Sequence, residues 1–573
     1  MKCIIYSIIA LIAVTGQINI FSALAAGSPL HHPDRIILKF EDTSSLYKDV
    51  RNVLQAVDIK SIQVDNQSVS GKIENFMREI SLIELWPIHQ EQKLKATPQG
   101  LERIFLAKYQ DNLSIDDVLA VLNNHSDIEY AEPDYVGFGS GKVCEKESPS
   151  YLRKTQNTFP NDSYFSDQWG LKNDGQEIGG YTGYPGADIN ILDGWEITTG
   201  SSDIVMAVLD SGIPKEHPEF SGRLVDGYDY ANDNNDPEDD HGHGTSVASI
   251  AAATGNNGGL MAGVDWSVKI MPVKILNDEN WGWYSWWISG IKYAVDNGAR
   301  VINMSVGGTD ISESLKDAVN YALDNEVIVV ASVMNTDNDD IFYPAGYEGV
   351  ISVGAINNRD MRASPFCWGG GSNYGDHIDF AAPGERIVSL NYQNFESTSF
   401  WCGTSQAAPM VAGTITLMLS VNNTLTRAEI YDILKETTRE QVQVTAKANA
   451  DWDHYYGWGR IDMYAALDEV RNITSISDLI DEEEITGDYR LAQNYPNPFN
   501  PSTTIEYEIA DAGRVKIIIY SIVGSEITTI VDKHQQPGWY SVTFDAGDLP
   551  SGVYVYTIRV NDFVQSKMMM LLQ

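Results

Sequence analysis

Five apolar-rich runs, separated by stretches with helical periodicity, constrain this chain more than any other feature. They occupy residues 204–209, 268–275, 301–304, 327–330 and 350–353. A strand apolar along most of its length has no polar face to give to water, so both of its faces must be covered. Between the runs, residues 285–297 and 312–325 carry apolar positions at helical spacing. Strands alternating with helices predict an α/β fold, a doubly wound parallel sheet, over residues 161–470. Ligands of such sheets are taken at the carboxyl ends of the strands.

Outside this block the chain changes style. Residues 1–26 read as a secretory signal: Lys2, an apolar run from Ile4 to Val14, then Ala23 and Ala25 for cleavage. That run is short for a membrane span, and no later stretch reaches spanning length. The mature form is therefore expected to lack a transmembrane segment. Residues 34–138 hold strand patterns at 34–40 and 103–109 and an amphipathic helix pattern at 114–123, a small α+β unit. Gly, Ser, Lys and Pro mark 139–160 as an exposed linker open to proteolysis. Residues 471–488, with Asp481 and Glu482 to Glu484, read as a hydrophilic spacer. Short alternating strands (504–509, 514–520, 538–544, 552–559) then predict an antiparallel β-sandwich over 489–573.

The formal net charge of −40 argues against nucleic acid or an anionic membrane as partner. Of four cysteines, Cys3 falls in the signal segment. Cys144, Cys367 and Cys402 are too few for a disulfide scaffold and lack metal-site spacing.

Three motifs carry chemistry. Asp210 directly follows the first apolar run. His243 lies in His241-Gly-His-Gly-Thr-Ser, where glycines give way to a small-residue helix. Ser405 opens the helix pattern after Gly403-Thr-Ser. Alone, a serine at a helix start can be a cap or a nucleophile whose N–H helps hold an oxyanion. Together the three types supply a carboxylate to orient imidazole, an imidazole to take the serine proton, and a serine to attack.

With Asp-Ser-Gly, His-Gly-Thr and Gly-Thr-Ser-x-Ala-x-Pro in this order, residues 161–470 resemble the subtilisin-like serine proteases, in their thermitase-like branch. The resemblance implies a serine endopeptidase whose triad is Asp210, His243 and Ser405, with His241 a loop residue. Asn335 takes the oxyanion role, and Met334 stands beside it where the family usually has glycine. Protein or peptide substrates would add as a strand beside Asn280-Trp281-Gly282 and Ser305-Val306-Gly307. Tyr284 would line an apolar subsite, giving a preference for hydrophobic side chains, while Trp286 is expected in the core.

Resemblance further implies calcium in the loop 227–240, through Asp229, Asn232, Asn234, Asp236 and Glu238, whose hard oxygens suit that ion. A second place would use Glu219 and residues 254–257. The family brings Cys367 and Cys402 together, as a disulfide or as free thiols, while Cys144 would leave with the linker. Residues 34–138 resemble the family's propeptide, which inhibits the enzyme until self-processing removes it. The tail (491–505 and 549–557) resembles the C-terminal sorting domain of the type IX secretion system. That machinery would be a further partner, exporting the protein through the periplasm to the medium or the cell surface. The alternative is a catalytically weak peptide-binding or adhesin-like surface protein.

Overall fold

A computed structural model of the chain describes residues 31–572, except 58–59, 65–70, 90–96, 98, 111, 146–158, 440–451, 482–488, 523, 548 and 562. The expected signal segment lies outside the described residues, as do 146–158 and 482–488 of the two expected linkers. The chain gathers into two compact units. One holds the residues up to Ile189 with Ser201–Thr416 and Arg439–Ile461; the other holds Asn190–Gly200, Leu417–Thr438 and Asp462–Gln573.

A seven-stranded parallel sheet forms the middle of the first unit. Its order is Tyr228–Asp229, Lys269–Lys274, Val205–Asp210, Val301–Met304, Ile328–Ser332, Ile351–Ile356, Phe380–Pro383. All five predicted runs are in it. Side chains such as Leu209, Ile302, Val329 and Val353 have no exposed surface, and each buried aliphatic contributes roughly 1.5–3 kcal/mol. The two strands that periodicity did not mark, Tyr228–Asp229 and Phe380–Pro383, are the sheet's edges. Helices Tyr284–Asp296 and Glu313–Asp324 pack their apolar stripes on the sheet. Asp210, Ser305 and Asn335 all stand at or just past the carboxyl ends of strands.

A second sheet, antiparallel, is built from His31–Phe40, Ile62–Gln63, Leu82–Pro87, Ile104–Tyr109 and Ile128–Gly139. Its own core includes Ile36, Leu38, Phe40, Phe76 and Phe105. The sheet does not end at its last strand. Ile128–Gly139 also pairs antiparallel with Trp281–Trp283 and with Val306–Gly307. Two acids on this strand cap the helices beneath it. The Glu132 carboxylate accepts from the Ser312 hydroxyl at 2.7 Å and the Glu313 amide at 2.9 Å. Asp134 accepts from the Ser285 amide at 3.0 Å and its hydroxyl at 2.8 Å. Anions there satisfy helix-start N–H groups and complement the dipole.

The expectation of a linker is therefore corrected for residues 139 and 142–145, which pair as strand. Residues 142–145 form the strand Lys142–Glu145, paired with Thr398–Cys402. The reason is backbone pairing: Gly- and Ser-rich sequence has no periodicity of its own, yet its amides find partners on strand edges.

In the second unit the tail folds as two sheets around one core. Ser502–Ile509 lies between Arg490–Leu491 and Gly538–Asp545; the other sheet runs Glu526–Gln535, Gly513–Ser521, Gly552–Val560, Phe563–Leu571. Ile505 and Tyr507 from the first meet Ile517, Tyr556 and Ile558 from the second. The helix Met463–Asp481 extends into the stretch expected as spacer.

Candidate active site

Asp210 and His243 meet because a close approach between two turns is possible only at glycine. A side chain on Gly244 would lie 2.2 Å from the Gly212 carbonyl, so helix His243–Ala252 starts directly against the turn after Asp210. His243 Nδ1 and Asp210 Oδ1 are 2.7 Å apart, with the imidazole wholly buried and the carboxylate 1% exposed. The Ser211 amide donates to the same Asp210 oxygen at 2.7 Å. Among the described residues Nε2 of His243 has no hydrogen-bond partner. His241 lies outside this pair, its ring 6.4 Å from that of His243. Burial and the neighbouring His243 push its pKa down.

Sequence reasoning missed Asp239, which organises the turn. Its buried carboxylate accepts from the amides of His241, Gly242 and Thr245 and from the hydroxyls of Ser211 and Thr245. Its signal was present: an acid four residues before the motif histidine is a helix-start anion.

Ser405 stands in the first turn of helix Thr404–Val421. Asn335 is fixed by its carbonyl oxygen, which accepts from the Thr404 amide at 2.9 Å and hydroxyl at 3.1 Å. That leaves its Nδ2 facing Gly403. A side chain on Gly403 would meet the Ser140 carbonyl oxygen at 2.5 Å and Asn335 Nδ2 at 3.0 Å. The Ser140 oxygen therefore lies on the side of Gly403 where the Asn335 amide points. Met334, at φ 74, has the left-handed backbone suited to glycine, and its side chain covers Gly307.

The strand threading this site has a definite register. Trp281 pairs with Phe138, Gly282 with Gly137 and Trp283 with Val136; Val306 pairs with Gly139. The Gly139 amide donates to the Asn280 carbonyl at 3.0 Å and the Ser140 amide to Ser305 at 3.1 Å. Ser140 Oγ bonds Ser332 Oγ at 2.8 Å and also Ser405 Oγ. Ser405 Oγ also donates to the Ser305 carbonyl at 3.1 Å. Beyond it, a side chain on Gly141 would lie 3.1 Å from His243 Nε2. Tyr284 is wholly buried, its ring 5.7 Å from that of Tyr135 on the strand. Within the cluster 281–287, Trp287, not Trp286, is the fully buried tryptophan; Trp286 is half-buried and stacks on Trp281.

The chain is similar to known proteins over this region. The Subtilase family profile covers residues 201–459, and a secretion system C-terminal sorting domain profile covers 493–571. A thermophilic serine proteinase of Bacillus sp. (strain AK1) is 35% identical over 355 residues, 62% of this chain and 76% of that protein. Thermitase of Thermoactinomyces vulgaris is 33% identical over 308 residues, 54% of this chain and 99% of its own. This chain belongs to the subtilase family. A solved chain titled "Proteases from Pseudoalteromonas arctica PAMC 21717" is 30% identical, covered in full by 55% of this one, with a TM-score of 0.47. This subtilase is thus a serine protease with a type IX sorting tail, which implies secretion or attachment at the cell surface. Among its described residues no helix is long and apolar enough to cross a membrane.

Two oxygen-rich places bear on calcium. In the first, Asp229, Asn232 and Asn234 share one turn, where Asp229 accepts from the Asn232 amide and side chain. Asp236 and Glu238 are turned to Lys215: its ammonium lies 2.5 Å from Asp236 and its amide donates to Glu238 at 3.1 Å. Lys215 thus engages two of the five expected ligands. The second place fits a hard cation better. Glu219 and Asp162, 3% and 2% exposed, both accept from the loop 256–260. Burial pushes both carboxyls up, and Asp162 adds repulsion at Glu219. Sequence reasoning named Glu219 and missed Asp162, which is distant in the chain.

The cysteines correct another expectation. Cys144 does not depart from the fold but stands between the other two. Its Cα is 5.8 Å from that of Cys367 and 6.4 Å from that of Cys402, while the sulfurs of Cys367 and Cys402 are 3.1 Å apart. One sulfur can close only one disulfide, so the trio can hold at most one such bond. The cause is the strand Lys142–Glu145, which carries Cys144 alongside Thr398–Cys402.

Proposed function

We propose that this subtilase is a secreted endopeptidase made as a self-processing zymogen, with residues 128–141 lying in the cleft as its first substrate. The observation that supports this reading is the register of that strand: the Ser140–Gly141 peptide lies between Asn335, Ser405 and His243. Ser405 turns from the Ser305 carbonyl onto His243 Nε2, gives up its proton there and attacks the substrate carbonyl carbon. The Asn335 amide and the Ser405 N–H hold the oxyanion, and Asp210 holds the imidazolium that forms. His243 then protonates the leaving amine, and water frees the acyl group from Ser405.

On this reading residues 34–138 inhibit the enzyme by filling the cleft, since an occupied edge cannot pair with another peptide. A small side chain suits the position of Ser140, because Met334 narrows the space beside Gly307. Calcium would sit between Asp162 and Glu219, and at Asp229 once Lys215 is displaced; there it supplies charge balance to buried carboxylates. The sorting tail delivers the chain to the type IX machinery from the periplasm.

The test is labelling by a sulfonyl fluoride followed by peptide mapping. Modification of Ser405 in the matured protein, with loss of peptide hydrolysis, is the expected result. A protein that hydrolyses peptides with Ser405 unmodified would refute the assignment.

A further inference from the structure

We infer that Trp287 closes the cleft at the fourth residue before the cut bond, so that this protease takes glycine there. The inference rests on the protease reading above, with Ser140–Gly141 as the bond cut and Gly137 as the fourth residue. A Cβ placed on Gly137 would lie 2.0 Å from Trp287 Cη2 and 2.5 Å from Cζ2. No side chain can share that space with the ring.

The ring cannot withdraw. Trp287 is wholly buried beneath the seated strand, on the helix Tyr284–Asp296 that packs against the parallel sheet. It stacks on Tyr284 at 4.9 Å between centroids. Tyr284 is itself wholly buried, its hydroxyl donating to the Asp310 carbonyl at 3.1 Å. Behind it stands Gly308, where a Cβ would be only 2.2 Å from that hydroxyl. Two rings and a backbone wall therefore stand in series. Close-packed interiors of this kind do not yield without cost.

The neighbouring position behaves differently. The atoms nearest a Cβ on Gly139 would be the side-chain end of Asn280, at 2.4 Å, and a polar terminal group at a strand edge can swing aside. The structure thus selects glycine strictly at position 137 and loosely at 139. This narrows the expectation of a hydrophobic preference: the aromatic cluster fills its own pocket instead of offering it to substrate.

The test uses the matured protein and quenched fluorescent peptides carrying Val-Gly-Phe-Gly-Ser-Gly, the sequence of residues 136–141, with Ala or Leu replacing the first glycine. Wild type is expected to lose at least about tenfold in kcat/KM with Ala and more with Leu, in line with the discrimination a tight pocket achieves. Trp287→Leu, or Trp287→Ala where it folds, is expected to raise the Ala-to-Gly ratio by about tenfold or more. Equal cleavage of all three peptides by wild type overturns the inference while leaving the protease reading intact. Failure to cut any peptide overturns both.

Discussion

The amide of Ser140 donates to the carbonyl of Ser305 at 3.1 Å, the last bond of the register that sets which peptide faces the nucleophile. The Ser405 hydroxyl donates to the same carbonyl. Slipping the strand by one residue would break that bond and turn every side chain to the opposite face.

Asn335 is expected to act through the transition state alone. Replacing it with Ala should lower kcat by about 100- to 1000-fold with KM little changed. Steady-state kinetics on one peptide check this; a change confined to KM would assign Asn335 to substrate binding.

Stability should fall in acid through His217. The side chain is 1% exposed, and burial holds its pKa down to about 4, against 6.5 unfolded. A depressed folded pKa means that the unfolded chain takes up the proton first. The loss therefore begins as pH falls below about 6.5 and is complete below about 4. Melting temperature against pH should be flatter across that window in His217→Gln than in wild type. Parallel curves would remove His217 from the account.

Calcium should raise the melting temperature, and a chelator should lower it. A ligand at 100 times its Kd adds about 2.7 kcal/mol. Glu219→Gln is expected to remove most of the calcium response of the melting temperature. An undiminished response in that variant would place the ion elsewhere.

How far the sequence was legible depended on where each residue finds its partner. The buried strands and the three motifs could be read because their signals are local: apolar continuity at 204–209, and glycine beside His243 and Ser405. What escaped was set by distant partners. Residues 139–145 look like linker until Asn280, Ser305 and Cys402 give them edges to pair with. Asp162 gains its meaning from Glu219, and Trp287 from Gly137. The outer strands Glu526–Gln535 and Phe563–Leu571 escaped because charged or methionine-rich sequence broke the alternation on which the other tail strands were found.

The cysteine trio makes a separate claim. Non-reducing peptide maps of the uncleaved protein should find Cys144 bridged to Cys367 or Cys402, with the third cysteine open to alkylation. The Cα separations of 5.8 and 6.4 Å permit either bridge. A Cys367–Cys402 bridge with free Cys144 would contradict this placement.

The most direct measurement is the amino-terminal sequence and intact mass of the refolded chain beside its Ser405→Ala variant, both with calcium. The account predicts that wild type yields a new amino terminus at Gly141 while the variant stays whole. Cleavage at the same bond in both, or wild type folded and uncut, would contradict the claim that Ser140–Gly141 is seated as this enzyme's own first substrate.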